Sequence, residues 1–150
     1  MPKSYLRLRF ADDHDGTGEL FAAARAGGFA GEGSAYFNVD RLESFASDII
    51  VYPPAALTHP EISSGFAADG WLEQEHLGLA VYAIDPKRGY IGVQVRMASQ
   101  AWSGARRESQ SIARIEIVTS YEPLARFSRA FIGILRGQAS EALLQNDNEQ

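Results

Sequence analysis

The chain has 150 residues, no cysteine and a formal net charge of −5 at pH 7. That length suits one domain, able to bury about 70% of its unfolded surface without a staple, and the lack of cysteine removes disulfide frameworks, thiolate metal sites and cysteine nucleophiles. The acidic balance argues against nonspecific nucleic-acid binding, which needs a basic face to neutralise phosphates.

Residues 5–10 alternate, with Leu6, Leu8 and Phe10 on one side and Arg7 and Arg9 on the other, which predicts a strand with one wet face. The first ten residues lack the apolar stretch of a secretory signal, so none is expected there. Residues 12–16 form a polar turn. Residues 19–26 are ambiguous: Leu20-Phe21-Ala22-Ala23-Ala24-Arg25 suits a helix by propensity, but the glycines that follow and a pairing candidate at 34–38 favour a hairpin strand. Asn38 is placed as the N-cap of a helix with Val39, Leu42, Phe45, Ile49 and Ile50 on one face, ended by Pro53-Pro54. Residues 58–70 are irregular, with a short strand at 61–67.

The clearest signal is a pair of alternating runs, 76–84 and 90–97, joined by Asp85-Pro86-Lys87-Arg88-Gly89. Leu77, Leu79, Val81 and Ala83 share one face of the first run, and Ile91, Val93, Val95 and Met97 one face of the second. This period of two, with proline and glycine in the connection, predicts a β-hairpin with one side in the core. Residues 99–111 read as a polar loop around Trp102 and Gly104. Ala113, Ile115 and Ile117 then alternate with Arg114 and Glu116 in a further strand. Ser120 caps a final helix with Pro123 in its first turn, Leu124, Phe127, Phe131, Ile134 and Leu135 as its apolar stripe, and Gly137 as its stop. The expected fold is a single α+β domain over residues 1–137. It has an antiparallel sheet with two amphipathic helices packed on one face, in the order roughly βββα-ββββ-α, followed by a polar, frayed tail over 138–150. No apolar run approaches the roughly 20 residues of a membrane helix, so a cytoplasmic protein without a membrane partner is expected.

Three clusters invite a chemical reading and fail it. A calcium loop needs a glycine at its sixth position and a bidentate glutamate at its twelfth. With Gly16 sixth in Asp12-Asp13-His14-Asp15-Gly16-Thr17-Gly18, the twelfth residue is Ala22; with Gly18 sixth it is Ala24. A solvated turn is the better reading. Gly28, Gly31 and Gly33 have the wrong order for a dinucleotide fingerprint and lead into a strand, so they read as a hairpin connection with close backbone approach. His14, His59 and His76 are too scattered for a metal-binding helix face, and no serine stands in a nucleophile elbow. No catalytic residue, metal or cofactor is assigned.

The open face of the hairpin sheet remains. By alternation His76, Tyr82, Tyr90, Gln94 and Arg96 point away from the core, with Arg114 and Glu116 beside them on the next strand and Trp102 on the neighbouring loop. Gly78, Ala80 and Gly92 between them would leave a shallow depression, the setting in which aromatic and arginine side chains serve as binding hot spots. The plainer alternative is a wet sheet face with cross-strand ion pairs, such as Arg96 opposite Glu116.

Arginine carries almost all the positive charge, since only Lys3 and Lys87 are lysines, and alanine is abundant, as in GC-rich bacterial coding. Gly27-Gly28-Phe29 with Gly31 and Gly33, a helix carrying Leu42-x-x-Phe45, a hairpin ending in Val93-x-Val95 and a closing helix with Leu124-x-x-Phe127 together resemble small bacterial α+β proteins, including the WapI-like toxin-immunity family. The resemblance spans most of the chain and implies a cytosolic protein that binds and neutralises a partner; it supplies no catalytic residues. The leading expectation is a non-enzymatic binding protein of immunity type. The alternative is a small-molecule-binding protein or hydrolase with its site on the open sheet face, lined by His76, Trp102, Arg96 and Glu116. Homodimerisation through the 61–67 edge or the hairpin is a third expectation.

Overall fold

In the computed structural model, which describes residues 4–51, 59–68, 71–100 and 106–146, the alternation at the start of the chain becomes β1 (Ser4–Asp12), with Leu6 and Leu8 fully buried and Arg7 and Arg9 outward. β2 (Thr17–Ala26) and β3 (Phe29–Asn38) follow as an antiparallel hairpin. The alanine-rich stretch is therefore a strand. It is paired on both sides, and Leu20, Ala22 and Ala24 are buried at a period of two, so ladder hydrogen bonds and burial override helix propensity. The β2–β3 connection is a two-residue loop in which Gly27 takes a positive φ of 60°, as the first central position of such a hairpin turn demands.

Asn38 precedes α1 (Val39–Asp48) with an extended backbone but makes no side-chain cap; Leu42, Phe45 and Ala46 are its buried residues. After β4 (Glu61–Ala68) comes the expected hairpin, β5 (Trp71–Asp85) and β6 (Tyr90–Ala98), whose turn carries Gly89 at φ 75° and an Arg88 N–H donating to Asp85 O at 3.1 Å. A single 3-10 turn at Arg107–Ser109 leads into β7 (Ile112–Thr119), then α2 (Tyr121–Leu135). The last element is β8 (Ala142–Asn146), paired antiparallel with β1. The frayed tail expected over 138–150 thus carries a strand: Ala142 and Leu144 face inward and are buried, while Leu143 and Gln145 face out.

The class is α+β with antiparallel pairing, as expected, but the strands form two sheets of four, in orders β3-β2-β1-β8 and β4-β5-β6-β7. β3 crosses β5, β6 and β7 of the second sheet, while α2 packs against β8 and β1, and α1 against α2 beside β3 and β4. The helices therefore share the inner side of the first sheet with the second sheet. One continuous core joins all three layers, from Leu6, Leu8 and Leu20 through Val93, Val95 and Ile117 to Phe127 and Phe131. No helix among the described residues is long and apolar enough to cross a membrane.

The acidic turn at 12–16 is a structural device. Asp12 Oδ1 accepts the His14 N–H at 2.8 Å and Asp15 Oδ1 accepts the Thr17 N–H and hydroxyl at 3.0 and 2.7 Å, while Gly16 O receives the Val39 N–H at 2.8 Å. Among the described residues no group of acidic and histidine side chains could hold a metal ion.

Candidate functional site

The outer face of the second sheet is organised around Arg96. Register sets Gly78 opposite Arg96 and Arg96 opposite Arg114; one step along, Ala80, Gln94 and Glu116 form the next row. The expected Arg96–Glu116 pair is thus not made. Arg96 instead donates from Nε to Glu75 Oε1 at 2.8 Å, from Nη2 to Glu75 Oε2 at 3.0 Å and Glu61 Oε2 at 2.7 Å, and from Nη1 to Gln94 Oε1 at 3.0 Å. A bidentate fork with two further acceptors nearly saturates the guanidinium and fixes its plane.

Glu75 reaches this face because β5 is bulged. Pairing with β4 jumps from Ser64 opposite Leu77 to Gly65 opposite Glu75, so one extra β5 residue interrupts the alternation. The consequence corrects the sequence reading twice: the Glu75 carboxylate lies over Gly78 beside Arg96, and His76 is buried at 8% exposure instead of standing in solvent. The visible signal was Gly65, a strand-interior glycine, which often marks a bulge; a Cβ there would stand 2.6 Å from His76 N.

Electrostatics follow from this geometry. Burial pushes the Glu75 carboxyl up, but hydrogen bonds from Arg96 and Ser63 and the Arg96 charge outweigh it and hold the group below its ordinary value. The Glu75 hydrogen bonds in turn raise Arg96. Beside this pair, Tyr82 lies across Gly92, where a Cβ would meet the ring at 2.5 Å, and its hydroxyl donates to Glu116 Oε2. Partial burial and the neighbouring Glu116 carboxylate push the Tyr82 phenol far above its ordinary value, so it stays a donor. His59 sits edge-to-face on Tyr82, ring centroids 5.9 Å apart, with Nε2 3.5 Å from Glu61 Oε1.

The expected depression over Gly78 and Gly92 is therefore filled by the residues' own neighbours. Of the eight candidates, Tyr82, Gln94, Arg96 and Glu116 come together. Tyr90 is exposed at the far end of β6, and Arg114 stands across from Arg96 without an ion pair among the described residues. His76 is buried, and Trp102 lies outside the described residues. Glu61, Ser63, Glu75 and His59 complete the cluster; none was assigned to this face from sequence, because the bulge and the β4 pairing that gather them leave no local pattern. Next to the cluster runs a groove of about 620 Å3, lined by Gln74, Glu75, Arg96, Gln110, Ile112 and Arg114 among others.

Chemically, the cluster holds shape and charge. The Ser63 hydroxyl is committed to Glu75, and one guanidinium against Glu61 and Glu75 leaves one net negative charge; Glu116 adds another, which Arg114 across from Arg96 offsets. The fold and this face define an α+β protein of two four-stranded antiparallel sheets with an ordered ion-pair network on the outer face of the second. No protein-family model, no curated protein and no solved structure matches the chain.

Proposed function

We propose that this chain is a cytoplasmic binding protein of immunity type, which neutralises a partner protein by covering a basic patch on it with the outer face of the second sheet. The observation that carries this reading is the nearly saturated Glu61–Arg96–Glu75 network. Its side chains are already immobilised by one another, so docking onto it orders little and loses little entropy. Exposed Tyr90 and partly buried Tyr82 supply the aromatic anchors that dominate binding energies. A net charge of −5 steers a cationic partner toward the surface and speeds its association. The test is capture of a partner by the tagged chain from lysate of its source, at low and high salt. A stoichiometric basic protein released by salt is the expected result; an acidic partner, or capture indifferent to salt, contradicts it.

The groove favours a second reading. Its volume of about 620 Å3 lies within the range of small-molecule sites, about 300–1,000 Å3, and Arg114 offers a guanidinium on its wall. A small organic acid is the ligand that chemistry suits, and an Arg114→Ala variant that keeps full affinity for such acids counts against it.

A further inference from the structure

We propose that the outer face of the first sheet carries a separate binding site for a small zwitterion, a molecule of amino-acid size with a carboxylate and an ammonium group on a short apolar body. Two adjoining cavities of about 270 and 280 Å3 open on this face, and both are lined by Arg7, Ala23 and Glu32. Register explains the arrangement. Arg7 pairs across to Ala23 and Ala23 to Glu32, so a cationic wall on β1 faces an anionic wall on β3 over an alanine floor. The two outer strands lie two spacings apart, about 9.6 Å between backbones. The next row, Arg9–Phe21–Ser34, adds a second guanidinium and an aromatic ring.

These charges are not spent on one another. Among the described residues Arg7 has only Glu141, at 3.9 Å with both side chains about half exposed, a pair of negligible strength. Arg9 lies over the Phe21 ring, 5.4 Å from its centroid, and meets no carboxylate among the described residues. The Glu32 carboxylate has no hydrogen-bond or ion-pair partner among them either. The end wall comes from the other sheet. Gly33 lets β3 approach Met97, whose Cβ would stand 3.0 Å from a Cβ added there, and this brings Ala98, Ser99 and Gln100 alongside the cavity. Ser99 is pinned in place: its N–H donates to Ser111 O at 2.8 Å, and its carbonyl accepts Gln110 Nε2 at 3.1 Å.

A carboxylate laid between Arg7 and Arg9 gains charge-assisted hydrogen bonds, an ammonium group on the same molecule reaches Glu32, and the apolar body rests on Ala23 beside Phe21. A simple anion would face Glu32 uncompensated, and a cation the two arginines. The cavity volume, just under the about 300 Å3 usual for ligand pockets, fits an amino acid and not a nucleotide.

The test is an NMR titration of the full-length, isotope-labelled chain with L-phenylalanine and with two probes that each lack one charge, 3-phenylpropionate and 2-phenylethylamine. L-Phenylalanine is expected to shift the amides of Ala23, Glu32, Ser34 and Ser99 saturably, with a dissociation constant on the order of 1 mM, and each half-charged probe to bind at least about tenfold more weakly. Glu32→Gln, a change at an exposed side chain that leaves the rest of the spectrum in place, should weaken L-phenylalanine about tenfold and leave 3-phenylpropionate unaffected. No saturable shift with L-phenylalanine, equal binding of 3-phenylpropionate, or indifference to Glu32→Gln would each overturn the proposal.

Discussion

At the scale of single residues, the second sheet's outer face depends on what Gly78 leaves empty. A Cβ at that position would stand 2.6 Å from Arg96 Nη2 and closer still to Glu75, so the ion pair occupies the space a side chain would need. With 22% and 27% of their side chains exposed, Arg96 and Glu75 are neither a surface pair of negligible worth nor a fully desolvated one. Arg96→Met is expected to cost about 1–3 kcal/mol in urea unfolding, because Glu75 and Glu61 are left facing each other without their donor. Arg96→Lys should recover part of that, since an ammonium keeps the charge but not the fork. Glu75 also sets an acid limb. Its pKa is lower in the folded chain than the ordinary 4.5, so its stabilisation is complete above about pH 4.5 and is lost as pH falls through the lowered value. Glu75→Gln should therefore lower stability at neutral pH and flatten its decline below pH 4.5, as read from urea midpoints across that range. The residue types of this face were legible in the sequence, but their partners were not. Alternation places Arg96, Gln94, Tyr82 and Glu116 outward correctly, yet it assumes an unbroken ladder, and the bulge opposite Gly65 moves Glu75 out and His76 in.

At the scale of elements, the two helices are joined by a buried hydrogen bond, from Ser128 Oγ to Ala46 O at 2.6 Å, and by Phe45 packed edge-to-face on Phe131 with centroids 6.1 Å apart. Ser128→Ala should cost about 1 kcal/mol in thermal unfolding, the ordinary net worth of one buried hydrogen bond, without altering the fold. β8 is a heavier dependency. It covers the β1 edge and gives α2 its main sheet contact, with Ala142 and Leu144 fully inside. Deleting residues 142–150 is expected to destabilise the chain by at least about 3 kcal/mol and to promote self-association through the uncovered β1 edge, both visible by denaturation and gel filtration. The hairpin of β5 and β6 and the stripes of both helices were legible because hydrophobic period is local, although neither Asn38 nor Ser120 makes the expected side-chain cap. β8 was not: within Ala142–Asn146 only two buried residues alternate before the polar end, and what makes them a strand is the distant edge of β1.

At the scale of the whole molecule, a run of strands in sequence does not say how many sheets they form. The division into two shows in β4 standing at the edge of a new sheet after α1 and in β8 returning to β1; which edge each strand joins leaves no local signature. The division gives the protein two wet faces of different character. On the second sheet, Glu61 and Glu75 close a network around Arg96, with Glu116 bonded to Tyr82 and Arg114 across from Arg96; on the first, Arg7, Arg9 and Glu32 stand apart around a cavity. Net acidity was readable from composition, but the network that orders the second sheet's outer face was not. The most direct measurement is therefore capture from source lysate with three forms of the chain: the natural sequence, a Glu116→Arg/Tyr90→Ala variant of the second sheet, and a Tyr36→Ala variant of the first, where Tyr36 stands exposed on β3. The account predicts one stoichiometric basic partner retained by the natural chain and the Tyr36→Ala form and lost from the Glu116→Arg/Tyr90→Ala form. A partner that stays on all three, or that leaves with Tyr36→Ala instead, would contradict it.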